Sequence, residues 1–220
     1  MKDSVNIHTT KLETEWVELN FDKKFQHLIK DKADTDSKKF VKVPIGTAKP
    51  TSTLAGTEIN PVIKYLQNNE DTCVFASIAS AIHYMGYTDV AFGIKQFEIL
   101  YQDTKYENNY YEHILGKLVQ NIAALGIKRF NRGFQIQKIK KPNKFDIIEY
   151  ATMQPDIMFH VVLRAENCSA HHCICSNNNL IFDGNYTNAL PLSQESLNLC
   201  VDDIYLCIEH GFKYVPYTKT

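Results

Sequence analysis

Residues 73–85, CVFASIASAIHYM, are apolar or small on every side. A helix of that composition has no face to give to water, so the rest of the chain has to pack around it. Its ends are readable as well. Thr72 stands where an N-cap hydroxyl belongs and Gly86 where a helix stops, which predicts about three and a half turns. Ala76, Ser77, Ala79, Ser80 and Ala81 leave room for close neighbours. A chain of 220 residues that is 44% hydrophobic can supply those neighbours, and at this length it makes one domain or at most two small ones.

The neighbours change period along the chain. Asp89 to Gln102 and Tyr111 to Leu125 read as two more helices, the second stopped at Gly126, while residues 127–139 fit helix or strand equally. From there on, β-rich runs at 157–163, 171–175, 179–183 and 204–208 alternate with turn clusters such as Ser176-Asn-Asn-Asn179 and Asp183-Gly-Asn185. Helices followed by an antiparallel sheet is an α+β order. The first 57 residues differ. Trp16, Leu19, Phe25, Leu28 and Ile29 approximate a helical stripe, 30–39 is a solvated charge run, 40–45 a short strand and 46–57 a loop. This predicts an N-terminal arm or pro-like segment (1–57), its stripe buried on a domain spanning 58–220.

Charge removes some functions. With 24 Lys and Arg against 25 Asp and Glu, the net charge is -1, and no long-range field exists to hold a nucleic acid or an anionic membrane. No apolar run approaches the roughly 20 residues of a spanning helix, and the N-terminal residues contain no apolar signal core. The expectation is a cytoplasmic or nuclear protein with its six cysteines as free thiols.

One of those thiols has a special place. A cysteine in the first turn of a helix sits among unpaired N–H groups at the positive end of the dipole, which favours the nucleophilic thiolate. Cys73 has that position, although a cysteine on an Ala/Ser-rich helix is more often simply a small core residue. Gln67, six residues upstream across a polar turn, can bring an amide N–H₂ beside the Cys73 backbone N–H, and two such donors would hold a tetrahedral oxyanion. Asn68 and Asn69 offer the same chemistry. A base follows in His171 or His172 and an orienting carboxylate in Asp183, the two stretches forming a hairpin that makes the imidazole and carboxylate cross-strand neighbours.

The pattern Gln67-x5-Cys73-Val-Phe-Ala-Ser, then Ser169-Ala-His171-His-Cys-Ile-Cys175, then Leu180-Ile-Phe-Asp183, resembles the papain-like cysteine peptidases over residues 60 to about 210. It resembles in particular their divergent members, including the bacteriocin-processing branch, and 181–192 also resembles peptidase-like proteins of viruses and mobile elements. The resemblance implies a helical subdomain carrying the thiol, a β subdomain carrying the histidine and carboxylate, and a cleft between them for a peptide or protein substrate. It implies Cys73 as nucleophile, His171 as base, Asp183 as orienter and Gln67 as oxyanion donor, with no cofactor. Val74 replaces the Trp of papain proper, and Asp71-Thr72 replaces Gly-Ser before the thiol.

Only one histidine of the doublet can meet Cys73, because strand residues alternate between faces. The small-residue lead-in Ser169-Ala170 favours His171. Cys168-x2-His171-His172-Cys173-x-Cys175 also has the ligand types of a structural zinc site, but alternation splits them between two faces and no second knuckle is present. Cys200 and Cys207 read as core residues of a closing strand and His83 as a buried structural histidine. A transglutaminase-like acyl transferase would use the same thiol, imidazole and carboxylate order. A catalytically inactive binding module would keep the scaffold alone.

Overall fold

The computed structural model describes residues 13–17, 61, 63, 65, 73–102, 110–140, 144–165, 171–200 and 206–218. Within them, five α-helices pack on a seven-stranded antiparallel sheet. Helix α1 (Cys73–Tyr84) is followed by α2 (Thr88–Gln102) and α3 (Tyr110–Ala124). Strands β1 (Thr14–Trp16), β2 (Arg132–Ile139), β3 (Met158–Ala165), β4 (His171–Asn177), β5 (Leu180–Phe182), β6 (Leu190–Pro191) and β7 (Leu206–Thr218) form the sheet, in the order β1-β2-β7-β3-β4-β5-β6. Helices α4 (Lys144–Met153) and α5 (Gln194–Cys200) complete the fold. The α+β class read from the sequence is therefore present.

Strand alternation divides the interior in two. Met158 and Val162 of β3 point to one core and Phe159, Val161 and Leu163 to the other. The first core takes the inner faces of α1, α2 and α3 together with Phe134, Phe212 and Tyr214. The second gathers Ala151 of α4 and Leu197 and Cys200 of α5. Helix α1 is central, as its composition requires: every residue from Cys73 to Ile82 is buried. Its small residues allow direct contact with the sheet. Ser77 Oγ donates 2.7 Å to the Cys173 carbonyl of β4, a buried bond that ties the helix to the strand that begins with the histidine doublet.

Several local expectations are corrected. The winding does not stop at Gly126. After α3 it widens into a π-type turn over Leu125–Phe130, which ends at Asn131 in the left-handed conformation (φ 54°). Gly126 stays necessary for another reason: a Cβ there would lie 2.9 Å from the Arg132 carbonyl oxygen and from the Gly133 Cα, where β2 doubles back. Helix α4 forms although its sequence carries no strong periodic signal. Cys200 closes α5 and not a strand, since Ser193 accepts a bond from the Ser196 N–H and starts a helix there.

Trp16 is a larger correction. It lies in β1, paired with Gln137 at the edge of the sheet, and is 59% exposed. Bonds from the Val17 N–H to the Ile136 carbonyl and from the Lys140 N–H to the Glu13 carbonyl extend the pairing at both ends. Edge-strand hydrogen bonding sets the backbone here, which overrides the helical spacing of the apolar residues. Leu19, Phe25, Leu28, Ile29 and the predicted strand at 40–45 lie outside the described residues.

Candidate active site

The hairpin of β4 and β5 determines which histidine meets the carboxylate. Its loop is the two residues Asn178 and Asn179, both with positive φ (51° and 58°), closed by the pair Asn177 and Leu180. Asparagine tolerates that conformation, and two such residues make the tight turn whose twist suits a hairpin. Further bonds brace the turn: Asn177 Nδ2 and the Asn178 N–H both donate to the Pro155 carbonyl at 2.9 Å. The register then runs through Ser176 with Ile181 and Cys175 with Phe182. One further step sets Ile174 against Asp183, so the residue that shares the carboxylate's face, two positions along β4, is His172.

The side chains agree. His172 Nε2 lies 2.8 Å from Asp183 Oδ2, with the carboxyl side chain fully buried and the imidazole 14% exposed. The expected pairing of His171 with Asp183 is corrected by this geometry: His171 of β4 stands opposite Arg164 of β3, one step out of phase with Asp183. The signal that identifies His172 was present in Ser176-Asn-Asn-Asn179. A two-residue loop pairs odd positions with even ones, and that parity selects the second histidine.

Cys73 completes the cluster. Its thiol, at the first residue of α1 and fully buried, hydrogen-bonds to the His172 side chain. With Nε2 engaged by Asp183, Nδ1 is the nitrogen left to face the sulfur. The meeting occurs at an open margin of the sheet, because β5 pairs with β4 from Cys175 to Asn177 and not at the strand's first four residues.

Electrostatics at His172 follow from its two partners. Burial by itself pulls the imidazole's pKa down, but the Asp183 charge and hydrogen bond, with a smaller contribution from Cys73, outweigh it and push the pKa up to about 10. His172 therefore holds a proton at neutral pH, and the Cys73 sulfur faces a cation. The neighbouring thiols behave in the opposite way. Burial raises Cys173 and Cys175 well above the ordinary thiol range, so they remain protonated core residues.

A second buried histidine serves as a control. His160 in β3 stacks on Phe212, with 5.3 Å between ring centres, and its Nδ1 lies 3.3 Å from the Tyr214 hydroxyl. It has no carboxylate partner among the described residues. Burial, with the nearby His210 adding to it, lowers its pKa to about 3. One interior imidazole is thus cationic and the other neutral, and the difference lies in the carboxylate.

Gln67, Asn68, Asn69 and Asp71 lie outside the described residues, as does Cys168. His83 is half-buried, its ring edge-on to Tyr65 at 5.7 Å and away from the cluster. Among the described residues no group of three or more His, Cys, Asp or Glu side chains is arranged to hold a metal, and no helix is long and apolar enough to cross a membrane. No protein-family model, no curated protein and no solved structure matches this chain.

Proposed function

We propose that the chain is a thiol-dependent hydrolase of peptide or isopeptide bonds, similar in its machinery to the papain-like cysteine peptidases, with Cys73 as nucleophile, His172 as acid and base, and Asp183 as the group that orients the imidazole. The observation that carries this reading is one imidazole bonded to both a buried carboxylate and a thiol at a helix start. The chemistry follows from those three groups. The Cys73 sulfur attacks the substrate carbonyl, and the oxyanion takes the Cys73 backbone N–H together with the Gln67 amide. The imidazolium then passes its proton to the leaving nitrogen as the C–N bond breaks. Neutral His172 next draws a proton from water, whose oxygen attacks the thioester and releases the carboxylic acid product, restoring the Cys73 thiolate beside the imidazolium.

Because Cys73 is fully buried, the probe has to be small. Iodoacetamide applied to the native chain, with peptide mapping of all six cysteines, should alkylate Cys73 ahead of the other five. Cys73→Ala should remove both that label and any turnover of a fluorogenic peptide library while leaving the fold intact. The zero exposure of Cys73 is the one observation that favours an inactive binding module. Native protein that labels no faster at Cys73 than at Cys173 or Cys175 would decide for that alternative.

A further inference from the structure

We propose that Ser77 is a positioning residue of this site: its hydroxyl, by bonding the backbone carbonyl next to His172, docks the start of α1 on β4 and sets the distance between the Cys73 sulfur and the His172 imidazole. The inference rests on the Cys73, His172 and Asp183 reading and extends it by one residue. Ser77 lies four residues after Cys73, one turn along the same helix face. Its Oγ is 2.7 Å from the carbonyl oxygen of Cys173, the residue that follows His172. Ser77 and Cys173 are both fully buried.

The pairing of the strands explains why a helix hydroxyl is needed there. Asn177 and Leu180 close the two-residue loop as a hydrogen-bonded pair, so Asn177, Cys175 and Cys173 direct their backbone groups to the β5 side of β4. Pairing with β5 ends at Cys175 and Phe182, and the chain then turns, the Tyr186 N–H donating 3.1 Å to the Asp183 carbonyl. The Cys173 carbonyl therefore faces the margin that β5 has left, buried away from water, and Ser77 takes the place of the strand. A serine within a helix has an alternative, since its one hydroxyl hydrogen can return to the carbonyl four residues back, which for Ser77 is that of Cys73. The hydrogen goes across to β4 instead.

The other end of α1 is tied separately. The Tyr84 hydroxyl accepts a bond of 3.2 Å from Asn178 Nδ2, and its ring centre lies 5.2 Å from that of Phe182. Without the Ser77 hydroxyl the helix keeps that anchor, while a buried carbonyl loses its donor and the thiol end is released from β4. At the effective permittivity of a protein, about 2 Å of added separation between sulfur and imidazolium disfavours the charged pair by about tenfold. Ser80 provides an internal comparison on the same helix. It is 2% exposed, and its Oγ makes two bonds of 3.0 Å, one with the Tyr65 N–H and one with the Tyr65 carbonyl, neither of them to β4.

The test is the rate of Cys73 alkylation by iodoacetamide in the full chain at pH 7, divided by the rate at pH 10, with the label located by peptide sequencing. Access to the buried thiol enters both rates and cancels, so the ratio reads how well the imidazolium supports the thiolate at pH 7. Besides His172, the titratable groups facing Cys73 among the described residues are Cys173 and Cys175, which burial keeps protonated. Ser77→Ala should lower the ratio about tenfold. Ser80→Ala removes two buried bonds, and it should leave the ratio within about twofold of the native value because it touches neither partner of the pair. If Ser77→Ala unfolds the chain, Ser77→Cys keeps the shape with a weaker donor and should lower the ratio about threefold. A folded Ser77 variant with an unchanged ratio would overturn the proposal, as would an equal fall in Ser80→Ala. Failure of the underlying reading looks different: the unaltered chain would itself give the ratio of an ordinary thiol, about 0.03.

Discussion

Asp183→Asn is the most informative single change, because the structure specifies its effect on charge as well as on stability. Asn keeps the shape of the side chain and removes its charge. His172 would then be left with burial and the Cys73 contact, and its pKa should fall from about 10 toward or below the ordinary 6.5. The folded-state pKa is raised, so its contribution to stability is present below the unfolded value and disappears as pH rises through about 10. Linkage between 6.5 and about 10 gives roughly 4 kcal/mol at pH 7 and under about 1 kcal/mol at pH 10. That magnitude agrees with the roughly 3–5 kcal/mol typical of breaking a buried ion pair. Urea unfolding of both proteins at several pH values between 6 and 10 would measure it. The difference in unfolding free energy should shrink steadily over that range, with the His172 NMR titration shifting in parallel. A stability difference that stays constant with pH would refute the argument, since the carboxylate would then be acting through packing and not through the imidazole's proton.

His160 should act at the other end of the pH scale. With its folded pKa lowered to about 3, its contribution is present above the unfolded value and is lost on acidification, by about 2 kcal/mol at pH 5. His160→Gln should accordingly flatten the acid limb of a urea-derived stability profile, while leaving the limb assigned to His172 in place. Gly126→Ala should cost about 1–3 kcal/mol in the same unfolding assay, because its Cβ would meet the Arg132 carbonyl oxygen and the Gly133 Cα at 2.9 Å. Trp16 is the only tryptophan and is 59% exposed, so the native protein should show red-shifted, readily quenched emission in a fluorescence titration with acrylamide.

Much of the architecture could be read from residue order. The sequence specifies α1 because a run without a polar face is stable as a helix only in the middle of a structure, and Gly86 ends it with a positive φ of 88°. It specifies α2 through helical periodicity, and the hairpin through the asparagines, whose side chains tolerate the left-handed backbone of a two-residue turn. Cys73 at the helix start and Asp183 beyond the second strand follow from those elements. What remained ambiguous was relational. His171 and His172 are equal in composition, and only the pairing of Cys175 with Phe182 puts the second in phase with the carboxylate.

The remaining decisions belong to contacts between segments far apart in the chain. Trp16 has the spacing of a helical stripe, yet pairing with β2 holds it extended, because hydrogen bonds to a free sheet edge outweigh the weak preference of a short amphipathic run. Cys200 has the look of a strand residue near the C-terminus, and only the packing of α5 against the segment after the hairpin seats it at a helix end in the second core. The charge of His172 is likewise a tertiary property. The same side chain at His160, fully buried and without a carboxylate partner among the described residues, is neutral. Sequence determines which groups exist and what local backbone they favour. Distance between them decides their chemistry, since Coulomb and hydrogen-bond energies depend on separation in space and not on separation along the chain.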